Sequence, residues 1–138
     1  MNSHTVTRAI QAAVACALGL VLAGCGGTQA KFDRFVPDTE AAREALGAAM
    51  TAWQSGDPPG RIDTHSPPTQ VVDTLRQAGQ TLASYEILSE VSGETPKRFS
   101  VRLKLENPSQ EQEAHYVVLG RDPIWVFREE DYARAERM

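Results

Sequence analysis

The stretch "RFSVRLKLE", residues 98–106, alternates without a break. Phe99, Val101, Leu103 and Leu105 share one parity, while Ser100, Arg102, Lys104 and Glu106 share the other. Successive side chains of a strand point to opposite faces, so a period of two predicts a half-buried antiparallel strand with one wet face. The segments around it read the same way. "QTLASYEILSEV" (80–91) is rich in β-formers and runs into a turn at Ser92-Gly93-Glu94. Asn107-Pro108-Ser109 turns the chain into "EAHYVVLG" (113–120), apolar on both faces at its centre, as a middle strand would be. Asp122-Pro123 makes a tight turn into a further strand, "IWVFRE" (124–129), and "EDYARAERM" (130–138) closes the chain as a short helix or frayed tail.

Upstream the period changes. Asp38 is suited to N-cap a helix whose first turn carries Glu40, placed favourably for the helix dipole. "TEAAREALGAAMTAWQSG" (39–56) puts Ala42, Leu46, Ala49, Met50 and Trp53 on one stripe. Gly56 suits the helix end, and Pro58-Pro59-Gly60 forbids continuation. Between helix and strands, Thr69 to Asp73 reads as a short strand and Thr74 to Ala78 as a turn of helix or an irregular crossing. The expected fold is α+β: one long N-terminal helix packed on an antiparallel meander of about four strands, with the helix stripe covering the inward strand face.

A chain of 138 residues has room for one domain, and 41 % apolar with 23 % charged residues is ordinary for a globular protein. A net charge of −4 argues against a nucleic-acid partner, which calls for a basic patch or stripe. No repeat of solenoid length is present.

The first residues obey a different logic. Arg8 precedes an apolar run from Ala9 to Ala23 that is broken only by Gln11 and Gly19. The run is shorter than the roughly 20 apolar residues of a spanning helix and matches a secretory signal. It ends at Leu22-Ala23-Gly24-Cys25, which resembles the lipobox of bacterial lipoproteins. The resemblance implies removal of residues 1–24, acylation of Cys25 and attachment to a lipid bilayer, with the domain outside the cytoplasm. Gly26 follows the cysteine instead of the aspartate that retains some lipoproteins in the inner membrane, which favours the outer membrane. Losing Arg8 would leave 13 Lys/Arg against 18 Asp/Glu, a net −5. It would also discard Cys16, so the acylated Cys25 leaves no pair for a disulfide. Residues 25–37 read as a flexible tether and 38–138 as a single domain. Phe32, Phe35 and Val36 are the apolar exceptions in the tether, suited to dock on the domain, to touch the membrane interface, or both.

A second resemblance rests on "ASYEIL", the alternation through "FSVRLKLE", and "YVVLGRDPIWVFREEDY". Over residues 40–132 these are similar to short lipoproteins of planctomycete-type bacteria whose globular part is cystatin/NTF2-like. That implies the fold and carries over no catalytic residues, metal or cofactor.

Candidate chemistry is sparse. Ketosteroid-isomerase-like enzymes of the wider NTF2-like class need a deep cone with an internal acid or base, and one helix before the strands suits a shallow or filled pocket. His115 is a candidate base facing inward with Tyr85, or a solvent-facing histidine beside Glu113. Asp73 is a candidate acid, or the cap of the turn that follows. His65 sits among Ser, Thr and Pro as a loop histidine, and no metal-ligand spacing emerges. Arg121, Trp125 and Arg128 are the residue types that dominate interface hot spots and are candidates for a recognition patch; alternatively, Arg128 pairs with Glu130 or Asp131 and the aromatics pack on the sheet. Three functions are expected to compete. The leading one is a lipid-anchored, non-catalytic module that binds an envelope protein. The others are a small-ligand binder or NTF2-like enzyme using His115 or Asp73, and a passive spacer.

Overall fold

The computed structural model describes residues 35–91 and 96–138. The expected signal segment, Cys25, most of the expected tether and the expected Ser92-Gly93-Glu94 turn lie outside the described residues.

The first helix, α1 (Thr39–Gln54), begins where Asp38 accepts a hydrogen bond from the Ala41 amide at 2.8 Å. Its expected stripe is buried, together with Ala45. Ser55 caps the C-terminus and Gly56 follows at φ +83°, the left-handed conformation in which glycine escapes a Cβ clash. The chain then forms β1 (Arg61–Ile62), β2 (Thr69–Val72), a single helical turn α2 (Thr74–Gln77), and three ten-residue strands. These are β3 (Thr81–Glu90), β4 (Lys97–Glu106) and β5 (Gln110–Leu119). The last elements are β6 (Ile124–Arg128) and a C-terminal helix, α3 (Glu129–Glu136).

All six strands form one sheet in the order β1-β2-β6-β5-β4-β3. The expectation of about four antiparallel strands is therefore corrected to a six-stranded mixed sheet. Strands β3 to β6 pair antiparallel in succession, but β2 joins β6 in parallel, with Thr69 opposite Ile124 and Val71 opposite Val126. Strand β2 falls where a short strand was expected at Thr69 to Asp73, whereas β1, with two residues, is too short to show a period. The parallel partners are more than fifty residues apart in sequence, so no local signal announces their pairing.

The alternation of residues 98–106 holds in three dimensions from Val101 onward, while Ser100, expected on the wet face, is buried. Phe99, Val101, Leu103 and Leu105 are fully buried with the α1 stripe in one core, joined by Ala114, Tyr116, Val118, Ile124 and Val126. On the other face Arg102 lies exposed between Glu86 (3.2 Å) and Glu111 (3.6 Å). Asn107 turns β4 into β5 at φ +62°, a conformation asparagine tolerates better than most residues.

Val117 is fully buried yet lies outside that core. Strand parity puts it on the outer face of β5, opposite Phe127 of β6, where α3 packs on both strands. Tyr132 of α3 meets Phe127 edge-on at 5.7 Å, and Trp125 stacks on Phe127 at 5.7 Å. The sheet thus carries a large inner core and a small outer aromatic cluster.

Candidate functional site

The candidate residues go to four separate places. Asp73 is the most buried, at 1 % exposure. It N-caps α2, accepting from the Leu75 and Arg76 amides at 3.0 and 3.3 Å, and its second oxygen accepts from the Tyr116 hydroxyl at 2.8 Å. Burial raises the Asp73 pKa, while the Tyr116 hydroxyl, the Arg128 charge and the two amides pull it down. Tyr116 is pushed well above the usual tyrosine value by its own burial and then by the Asp73 charge. Arg76, also buried, donates to the carbonyls of Ala49 (3.0 Å) and Asp57 (2.8 Å), fastening α2 to the end of α1. Asp131 accepts from the Thr74 amide at 2.9 Å and thereby ties α3 to the same turn. Every Asp73 oxygen is engaged, and the group acts as a structural node. The cap, offered by the sequence as the plainer alternative, is what the geometry displays.

His115 faces the other way. Its neighbour Tyr116 points into the core, so strand parity sends His115 to the outer face, where its Nδ1 lies 3.1 Å from Glu129 and its Nε2 3.8 Å from Glu113. Arg98 pairs with the other oxygen of Glu129. Ser100 is the cross-strand partner of His115, yet its hydroxyl makes no hydrogen bond to the ring. Tyr85 is elsewhere again, its hydroxyl 3.1 Å from that of Thr51 on α1. Asp73, Tyr85 and His115 therefore share no pocket.

The arginines around the tryptophan are also divided. Arg128 sits opposite Tyr116 across β5 and β6 and turns inward, its side chain 13 % exposed, with Nε 3.1 Å from Glu130. Trp125 has the opposite parity and stays 37 % exposed on the outer face. Arg121 lies on the β5–β6 turn and donates to the Val36 carbonyl at 3.4 Å. Arg121 and Trp125 stay on one hairpin, at the turn and at the start of β6, and Arg128 leaves them.

A groove of about 550 Å³ opens between the C-terminal half of α1 and β1. Ala48, Ala52 and Ile62 supply its apolar surface, and Asp57, Asp63 and His65 are among its polar groups. Arg61 is held by Asp63 at 2.7 Å. His65 is partly buried, with Nδ1 3.1 Å from the Pro67 carbonyl. A carbonyl only accepts, so Nδ1 carries the proton in the neutral ring and Nε2 keeps its lone pair, 3.8 Å from Glu44. The sequence reading missed this groove because its walls come from separated segments that meet only after β1 pairs with β2.

Among the described residues no group of three or more His, Cys, Asp or Glu could hold a metal ion, and no helix is long and apolar enough to cross a membrane. No family model, curated protein or solved structure matches the chain.

Proposed function

We propose that this protein is a lipid-anchored, non-catalytic binding module of the bacterial envelope, and that its α1–β1 groove receives a short extended segment of a partner protein. The lipobox ending at Cys25 supports the anchor. The observation that carries the binding reading is the open edge of β1 beside the groove. Among the described residues, strand β1 pairs with β2 on one side only, so its other edge presents backbone groups that an extended peptide would satisfy. The groove volume lies within the roughly 300–1,000 Å³ of ligand sites, and its mixed apolar and polar lining suits peptide side chains. The non-catalytic reading draws support from Asp73 and His115, whose partners are structural and which face different sides of the sheet. Helix α1 before the β3–β6 meander supports a cystatin/NTF2-like roll extended by β1 and β2.

The test uses the full lipidated chain in its own envelope. A photoreactive amino acid at Ile62 is expected to yield a discrete adduct mapping to one contiguous segment of a partner. The same group at the exposed outer-face position Lys104 should not. Ala52→Arg, which fills the groove, should lower the Ile62 adduct about tenfold, equivalent to about 1.4 kcal/mol. Identical products from both positions, or none from Ile62, would leave the passive-spacer reading in its place.

A further inference from the structure

The corner where the described chain enters the domain is built unlike the rest of the surface. The Phe35 carbonyl accepts a hydrogen bond from the Gly120 amide, and the Val36 carbonyl accepts from Arg121. Pro37 is buried, so the entering chain is fastened to the β5–β6 turn. Two of the three exposed large apolar side chains among the described residues flank Gly120: Phe35 at 62 % exposure, whose carbonyl it bonds, and Trp125, whose indole lies against it. A cation, Arg121, lies on the same turn, next to Gly120 in sequence, with its guanidinium on the Val36 carbonyl. Tryptophan with an apolar neighbour and an adjacent cation is the composition that settles at the headgroup level of a bilayer.

Chain length places this corner at the membrane. Cys25 lies ten residues before Phe35, a span of at most about 35 Å even when fully extended. No other part of the domain surface is held closer along the chain to that cysteine. We infer that the Phe35–Arg121–Trp125 corner is a membrane-docking surface, laid on the bilayer that holds the anchor, so that the domain is oriented instead of swinging freely. This rests on acylation of Cys25. Because tethering supplies a high local concentration of lipid, two aromatic contacts suffice where they would bind free vesicles poorly. Docking at this corner also gives the α1–β1 groove a set orientation toward partners.

The experiment uses the natively lipidated protein reconstituted in phosphatidylcholine vesicles whose acyl chains carry bromine, a short-range quencher of indole fluorescence. Wild type is compared with Trp125→Phe, which leaves Trp53, 4 % exposed in the core, as its sole emitter. The expected result is strong quenching of wild type, about twofold, with Trp125→Phe unaffected. Phe35→Ser with Arg121→Glu should remove most of the wild-type quenching while circular dichroism stays unchanged. Vesicle flotation and intact mass are recorded on the same samples. Protein that floats with acyl mass but shows no quenching overturns the docking inference and leaves the anchor standing. Protein without acyl mass that fails to float overturns the anchor, and the docking inference with it.

Discussion

Asp73 shows how one buried carboxylate is made tolerable. Desolvation disfavours its charge, and two amides, one phenol and a nearby guanidinium repay part of that cost. Removing the phenol tests the balance. Tyr116→Phe leaves the Asp73 oxygen without its partner in a sealed site and is expected to cost about 1–3 kcal/mol, read by urea unfolding. The pH dependence follows from the direction of the shift. Asp73 has a folded pKa above its unfolded value near 3.8, so the folded state holds this proton more tightly. Its contribution is fully present below about 3.8 and is lost as pH rises through the folded value. Wild type should therefore lose stability relative to Asp73→Asn as the pH rises through that window. A stability difference that stays flat with pH would show that the carboxyl is not shifted.

Among the elements, two glycines make opposite predictions for the same substitution. Gly47 lies inside α1, and a Cβ there would meet nothing within 4 Å. Gly47→Ala should stabilise the protein by about 0.5–1 kcal/mol through helix propensity and a less flexible unfolded chain. Gly120 sits in the β5–β6 turn at φ +84°, where a Cβ would come within 2.7 Å of the Pro123 carbonyl oxygen and 3.3 Å of the Trp125 ring. Gly120→Ala should destabilise by more than about 1 kcal/mol and should loosen the corner that Phe35 occupies, measured by thermal melting of both variants. Helix α3 shows an element set by its partners. Its sequence is strongly polar, yet Tyr132 against Phe127 and Asp131 on the Thr74 amide hold it to the sheet. Isolated helices of this length are marginal in water, so tertiary contact decides its existence.

For the whole molecule, the parallel β2–β6 pair joins the early part of the domain to its last strand. Such a closure predicts one cooperative unit. The two tryptophans report on opposite sides, Trp53 in the core through its bond to the Gln80 carbonyl at 2.7 Å, and Trp125 on the outer face. In Trp53→Phe and Trp125→Phe, the fluorescence of the remaining indole should unfold at the same denaturant concentration as that variant's circular dichroism. Separate midpoints would mean that the β1–β2 part melts apart from the meander.

Legibility followed the range of the interactions. Residues 98–106 exposed their buried face because strand alternation is a local, repeated signal, and the α1 stripe did so at helical spacing. Asp73 announced itself as a cap because its position before Thr74 is local, but nothing nearby indicated Tyr116, forty-three residues away. Arg128 reads with Trp125 as an interface residue in sequence, although the three-residue offset sends it to the opposite face and against Tyr116. The groove was not legible, since Ala48, Ala52 and Ile62 carry no motif and converge only through sheet pairing. The sequence by itself determined what is local: the helix, its N-cap and the meander strands. Tertiary structure alone decided the parallel closure, the split of the candidate residues between two faces, and the groove. Those depend on which distant segments bury each other's surface, and the hydrophobic force that drives them has no direction along the chain.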